Sequence, residues 1–329
     1  MRKKYEVSII IVNWNGFTHL KKCLSSLLKL KRNVSFEIIV VDNGSTDKSL
    51  HFVKRLRKKH KNIALLENGR NLGFAEANNI GKNIASGNYI LFLNNDTTVS
   101  TDFLSILVSE IKKKRKCAAV QPKILLMDHS STIDSAGSFF TNTGILYHRG
   151  HKQRDQALFN IQDTIFSMKG ACMLIKAKVL DEVGLFDKDY FAYFEETDLC
   201  TRILLAGYSI MYIPNSKIYH KGGGTTNKVG ASFIQFHSFK NRIMSYLTNF
   251  EKRTLITLLP LHIFICLLSA MGFLFIGRPK YSFAILNALF WIVLHIKQIM
   301  KKRDYVQRHI RKVSDKDYLL PVTRSVPLR

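Results

Sequence analysis

Three short stretches of this sequence carry side chains able to do chemistry. The first is Asn94-Asn95-Asp96, which follows at once on the apolar run Tyr89 to Leu93. A continuous apolar run of that length is the pattern of a strand buried on both faces. Oxygen-bearing side chains at its end make a poor core and a good ligand edge, although a polar turn leaving a strand reads the same way. Asp96 offers a hard anionic oxygen of the kind Mg²⁺ or Mn²⁺ prefers. The second stretch is Glu195-Glu196-Thr197-Asp198, behind the aromatic residues Phe186, Tyr190, Phe191, Tyr193 and Phe194. Acidic residues in a first helical turn are ordinary partners of the helix dipole, which accounts for one or two of them. A carboxylate held near others and near apolar rings has its pKa raised, which suits a general base. The third is His220, which opens Lys221-Gly222-Gly223-Gly224-Thr225-Thr226. A single histidine is ordinarily structural, but this one begins a glycine-rich, hydroxyl-bearing loop able to fold over a metal or phosphate.

The elements that must position these residues alternate regularly. Val7–Val12, Phe36–Val41, Ile63–Leu66 and Tyr89–Leu93 read as strands. Between them lie helical patterns: Leu20, Leu24, Leu27 and Leu28 with Thr18 as a possible cap; Leu50, Val53 and Leu56 after Asp47; and Ala75 to Ala85. Repeated strand–helix alternation is the signature of a parallel, doubly wound sheet. Ligands of such sheets sit beyond the carboxyl ends of the strands. Those ends here are Asn13-Trp14-Asn15-Gly16, Asp42-Asn43-Gly44-Ser45, Glu67 to Gly73, and Asn94 to Asp96. A nucleotide lying across that edge would use them all. Ala118–Gln121, Ser167–Ile175 and Ser209–Ile213 read as further strands, and Ile124 to Asp163 as loops with a hairpin.

The chain has 329 residues and a formal net charge of +26. That balance suits nucleic acid, an anionic membrane surface or phosphorylated substrates. The five cysteines are scattered without a C-x-x-C pair, which argues against a disulfide framework or a zinc site. The first apolar run is too short for a signal peptide. Phe233, Phe236, Phe239, Ile243, Met244 and Leu247 recur at helical spacing, as in a helix packed on the domain or lying in a membrane interface. Leu255 to Ile276 is long and apolar enough to cross a bilayer, and Phe283 to Ile296 is shorter. Basic residues on both flanks favour the cytoplasmic side. Arg278 and Lys280 at the tip of such a hairpin run against that, and a shallow insertion removes the conflict. Nucleic acid is set aside, because it explains the charge but neither the acidic strand ends nor the apolar C-terminal run.

Taken together and in this order, these residues resemble a family 2 glycosyltransferase of the GT-A fold, near the bacterial rhamnosyltransferase-like branch. The likeness runs from Val7 to about Arg242. It implies an α/β fold, Rossmann-like, with a mostly parallel central sheet and flanking helices, plus C-terminal hydrophobic membrane-associated helices. The implied divisions are a catalytic domain at 1–230, an amphipathic interfacial helix at 231–252, a hydrophobic hairpin or membrane-embedded segment at 253–300, and a basic tail at 301–329. Val12, Asn13 and Asn15 resemble the opening nucleotide-binding strand. Asp42 stands where the family contacts base or ribose, and Asn71, Gly73, Asn78 and Asn79 where it makes the next nucleotide contact. Asn94-Asn95-Asp96 replaces the D-x-D metal motif, with Asn94 in place of its first Asp, so a Mg²⁺ or Mn²⁺ ion would rest on Asp96, His220 and the donor phosphates. Glu196 matches the base position of related galactofuranosyl transferases, where many members carry Asp, and Glu195 and Asp198 are the alternatives. The resemblance implies inverting transfer from dTDP-rhamnose, or else a UDP-sugar, to a saccharide or polyprenyl-diphosphate-linked acceptor. This would serve cell-surface polysaccharide synthesis at the cytoplasmic face of a bacterial membrane. The rival is a membrane-anchored saccharide- or nucleic-acid-binding protein without catalysis.

Overall fold

A computed structural model describes residues 5–31, 33–222 and 230–324. The Gly223 to Thr226 part of the glycine-rich loop lies outside the described residues. Strands β1 (Val7–Asn13), β2 (Phe36–Asp42), β3 (Ile63–Glu67) and β4 (Tyr89–Leu93) lie parallel in the order β3-β2-β1-β4. The crossovers are α1 (Phe17–Leu27), α2 (Ser49–Lys59) and α3 (Gly73–Ile84). Near-continuous apolar strands are what such a sheet requires, because helices cover both faces. Ile10 and Phe92 face one apolar cluster, while Ile9, Ile11, Leu91 and Leu93 face the other. Parallel register sets Asn13 beside Asp42 and Asp42 beside Glu67, so the polar ends share one edge. Helix α1 has no side-chain cap from Thr18; instead the Phe17 amide donates to Asp47 at 2.9 Å, across the same edge.

The chain then adds β5 (Thr97–Val99), α4 (Phe103–Lys113), β6 (Cys117–Leu126), β7 (Ile133–Ser135) and a small hairpin of β8 (Ser138–Phe139) with β9 (Tyr147–His148). After β10 (Asp163–Thr164) come β11 (Cys172–Lys176), α5 (Ala177–Val183), α6 (Glu195–Leu205) and β12 (Ser209–His220). The sheet continues from β4 through β11, β6, β12 and β10. Strand β11 is antiparallel to both neighbours, so this half is mixed rather than parallel. Two strands outrun their sequence reading because of proline. β6 continues through Pro122, and β12 continues past Pro214. Proline cannot donate to a ladder, and the β12 register shifts between Ile213 and Lys217, opposite the Pro122–Lys123 step. Conversely β11 starts at Cys172 rather than Ser167, because the Lys169 amide turns away to Gln121 at 2.6 Å.

Helices α7 (Ala231–Asn249), α8 (Lys252–Phe275), α9 (Pro279–Leu294), α10 (Ile296–Tyr305) and α11 (Asp315–Leu319) complete the chain. Helix α7 covers most of the stretch read as an interfacial helix at 231–252. It packs against α6, α9 and α10, and every residue from Lys240 to Asn249 except Arg242 is buried. The apolar surface lies instead on α8 and α9, where Ile256, Phe264, Phe275, Phe283 and Phe290 are exposed. Among the described residues α8 alone is long and apolar enough to cross a membrane, and α9 bends by 67° into the helical stretch that follows. The basic stretch after residue 300 is not a free tail. Lys302 pairs with Asp187 and Asp189, Arg303 donates to the carbonyls of Leu247 and Phe250, and Val322 is buried. Carboxylates and helix-end carbonyls of the folded domain take up these cations.

One loop decides where α6 begins. Phe191, Tyr193 and Phe194 hold φ values of 61°, 69° and 72°. Bulky side chains avoid this region, at a cost of about 1–3 kcal/mol each. Asn241 of α7 secures the loop: its Nδ2 donates toward the carbonyls of Tyr190, Ala192 and Tyr193 at 3.0, 2.9 and 2.6 Å. The Phe74 amide adds a bond to the Phe191 carbonyl at 2.8 Å. Asn241→Ala strips these buried carbonyls of their donor, so stability is expected to fall by about 1–3 kcal/mol. Denaturant unfolding measures it; an unchanged midpoint would show that other contacts hold the loop.

Candidate active site

The carboxyl edge of the parallel strands opens into a cleft of about 310 Å³. Val12, Asn71, Gly73, Asn94, Asn95, Asp96, Glu195, Glu196 and His220 all line it. So do residues the sequence reading did not single out: Trp14, Asn43, Lys169 and, from α7, Phe233. Residues far apart in number therefore converge, and helix α7 forms part of the wall.

The nucleotide-edge residues divide into those that face the cleft and those that hold it. Asn13 is fully buried; its Nδ2 donates to Asp42 and to Ser45, each at 3.1 Å, and its Oδ1 accepts from Asn95 at 2.7 Å. Asp42 also accepts the Ser45 amide at 2.8 Å and does not line the cleft. The neighbouring Asn43 faces the cleft in its stead. Its Nδ2 donates to Asn71 Oδ1 at 3.2 Å and to the Gly73 carbonyl at 3.0 Å. Gly73 has φ +80°, and a Cβ there would lie 2.6 Å from the Phe191 carbonyl, so only glycine lets α3 start against the loop. Asn15 does not line the cleft; it accepts from the Thr46 amide at 2.7 Å. Asn78 is buried within α3, donating to the Phe74 carbonyl at 2.9 Å, and Asn79 donates to the Phe186 carbonyl at 2.7 Å.

Asp96 and His220 meet because β12 pairs with β5, setting His220 opposite Thr97. His220 Nε2 lies 3.2 Å from Asp96 Oδ1, and its Nδ1 lies 2.8 Å from Asp134 Oδ2. Asp134 in turn takes Lys169 Nζ at 2.6 Å. Burial opposes charge on His220, but the two carboxylates outweigh it and lift its pKa to about 9. Burial likewise opposes charge on Asp134, yet His220 and Lys169 hold it down at about 2. One carboxylate oxygen and, once a metal displaces the Nε2 proton, one imidazole nitrogen form a donor set that fits Mg²⁺ or Mn²⁺ with further oxygens from substrate and water. Among the described residues no three His, Cys, Asp or Glu side chains group for a metal, so substrate oxygens would be needed. A carboxylate on the far nitrogen is the usual means of orienting a ligating histidine. No signal in the sequence marked Asp134: it lies in the stretch read as loops, and only the β6–β7 pairing brings it here.

The acidic turn divides as well. Glu195 and Glu196 line the cleft, and the Oε2 of each is buried without a hydrogen-bond partner. Burial raises both pKa values, and for Glu195 the neighbouring Glu196 charge adds to it. Glu196 rises less, because first-turn amides of α6 and Lys169 favour its charged form. Asp198 does not line the cleft. It accepts from Tyr190 at 3.0 Å, Asn249 at 2.7 Å and Arg202 at 2.9 Å, fastening α6 to α7 and to the loop.

Comparison with known proteins agrees with this architecture. The family model described as glycosyl transferase family 2 matches residues 8–184. The chain is similar to the N-acetylglucosaminyl-diphospho-decaprenol L-rhamnosyltransferase of Mycobacterium tuberculosis, 25% identical over 254 residues, covering 70% of this chain and 80% of that protein. It is similar to the low-salt glycan biosynthesis hexosyltransferase Agl10 of Haloferax volcanii, 23% identical, covering 75% of this chain and 77% of that one. It spans only 24% of an uncharacterized protein of Sinorhizobium fredii, 65% of this chain being covered at 26% identity. Among solved structures, GalNAc-T7 with UDP, GalNAc and Mn²⁺ superposes with TM-score 0.61 at 17% identity, over 77% of this chain and 49% of that one. The mannosyltransferase PcManGT of Pyrobaculum calidifontis, with GDP-Man and Mn²⁺, superposes with TM-score 0.55 at 15% identity, over 98% and 86%. At these identities the structures share the fold, which is GT-A, and the chain belongs to glycosyl transferase family 2.

Proposed function

We propose that this glycosyltransferase moves a hexosyl unit, with inversion, from a nucleotide-diphosphate sugar to a hydroxyl of a lipid-linked saccharide. The observation that carries the reading is Glu196, a carboxylate whose Oε2 has no partner, in the same cleft as the Asp96–His220 pair and the Asn43–Asn71 floor. Asn43 and Asn71 hold the nucleoside, with Val12 and Gly73 beside it and Asn13 and Asp42 as its support. Asp96 and His220 would hold a Mg²⁺ or Mn²⁺ ion, whose positive charge would supply stabilisation of the departing diphosphate. Glu196 takes the proton from the acceptor hydroxyl. The oxygen then bonds to the anomeric carbon, and the electron pair of the breaking bond leaves with the nucleoside diphosphate. Glu195 is the second candidate base, while Asp198 anchors the turn.

The similarity to the mycobacterial enzyme supports dTDP-rhamnose as donor and a polyprenyl-diphosphate-linked acceptor. UDP-sugars are the second reading, supported by the structure of TarS from S. aureus in complex with UDP-GlcNAc, which superposes with TM-score 0.59 at 16% identity. The exposed apolar faces of α8 and α9 and the cations that flank them, Lys252, Arg253, Lys297 and Lys301, support a place at the cytoplasmic face of a bacterial cell membrane. A role in cell-surface polysaccharide synthesis follows from such an acceptor.

Glu196→Gln is expected to lower kcat by about 10²–10⁴-fold with donor affinity unchanged; wild-type turnover would reject the base. Burial raises the Glu196 pKa, so the base form is lost as pH falls through that raised value. The acidic limb of kcat/KM in the wild type is therefore expected above the ordinary glutamate value of about 4.3, and in the variant it should vanish. Asp96→Ala is expected to remove donor-dependent Mn²⁺ binding, read by electron paramagnetic resonance. Asp134→Ala should weaken the same binding by roughly 10–100-fold through His220. Mn²⁺ affinity equal to wild type in both variants would remove the pair from the site.

A further inference from the structure

Between the cleft and the apolar helices stands a cation that has no counter-ion among the described residues. Arg242 is the one residue of the Lys240–Asn249 segment that is not buried outright. Its guanidinium lies 5.5 Å from the centre of the Phe194 ring, one residue before Glu195. Its Nε is buried without a hydrogen-bond partner. Neighbouring arginines are differently placed. Arg202 donates to Asp198 and to three carbonyls, Arg303 to two carbonyls, and Arg311 to Asp315, Gln307 and more. A second polar group nearby is equally unserved. His262 of α8 is fully buried and neither ring nitrogen has a partner. Tyr246 links the two places: its ring lies 6.3 Å from the Phe194 ring that Arg242 covers and 5.2 Å from the His262 ring, and its hydroxyl is already bound to the Gly144 carbonyl.

Arg242 is half-buried against the Phe194 ring with its Nε unserved, and a phosphate oxygen pair is the group whose geometry matches a guanidinium edge. Beyond His262, helix α8 presents Phe264, Leu267, Leu268 and Met271 to the surroundings. An anion bound here would therefore sit with an apolar chain along α8 and a head toward Glu196. We propose that Arg242 and His262 form a subsite for the diphosphate of a lipid-linked acceptor. This rests on the reading of the protein as a transferase to such acceptors. It names the residues that position the acceptor, apart from those that hold the donor.

The test uses the full chain in detergent, with the donor site filled by excess UDP or dTDP. Farnesyl diphosphate is the probe, and farnesol is its uncharged control. Arg242→Ala should weaken farnesyl diphosphate binding at least tenfold, leaving farnesol and nucleotide binding unchanged. Arg242→Lys should retain part of it, and Arg242→Gln serves where the alanine variant does not fold. Farnesyl diphosphate binding equal to wild type in the variants would overturn the subsite, as would an equal loss of farnesol. An equal loss of binding to phosphatidylglycerol vesicles would reassign Arg242 to lipid headgroups and overturn the acceptor role. A wild-type protein that ignores farnesyl diphosphate yet glycosylates a free saccharide would sink the lipid-linked reading itself. A wild type that binds it, with variants that bind it as well, would sink only the subsite.

Discussion

Asn13 is a fully buried amide whose Nδ2 and Oδ1 are satisfied by groups from other strand ends. Asp42 and Ser45 follow β2, and Asn95 follows β4. A buried amide left partly unsatisfied costs far more than a satisfied one contributes. The ends of β1, β2 and β4 are therefore held in one relative position, and Asp96, the next residue after Asn95, is held with them. The small residue at Gly16 belongs to the same constraint, because a Cβ there would lie 2.4 Å from Asn95 Nδ2. The nucleotide edge is thus a rigid polar seam beneath a cleft, and the residues of the seam are not those of the surface above it.

Carboxylates in this protein are sorted by what surrounds them. Asp134 has His220 and Lys169, and Asp198 has Arg202, Tyr190 and Asn249. These two are committed groups that fix neighbours in place. Glu195 is buried to a similar extent and Glu196 is half-buried, and the Oε2 of each is left without a partner at the cleft wall. Proton affinity follows from that difference: the partnered Asp134 is held ionised, while the unpartnered pair is pushed toward the proton. Chemistry and support come from the same residue type, distinguished by environment.

The parallel half of the fold was legible because its strands are apolar runs ended by Asn, Asp or Gly, and that pattern follows directly from burial on two faces. The convergence of Asp96, Glu196 and His220 was legible through motif order. Elsewhere proline misled, since the ladder at Pro122 and Pro214 adjusts by a register shift that no local pattern announces. Asp42 was read as a nucleotide contact; Asn43 lines the cleft and Asp42 does not, a difference between adjacent strand-end residues that no sequence pattern announces. Asp134 and Arg242 were invisible as site residues for a related reason. Each acts through partners more than 80 residues away or through a contact across helices. The amphipathic pattern of α7 was real, and the helix packs against α9 and α10.

Asn241 ties the last part of the chain to the first in a way that bears on how the protein can be divided. A fragment ending near residue 230 would retain the sheet, the seam, both cleft glutamates and the Asp96–His220 pair. It would lack the amide that gathers the carbonyls of Tyr190, Ala192 and Tyr193, and it would lack the Phe233 wall. The apparent border between a water-soluble enzyme and its apolar appendage is therefore not a seam along which the molecule comes apart. The appendage is a component of the catalytic scaffold, and a trimmed, convenient version would be a folded protein with a slack jaw.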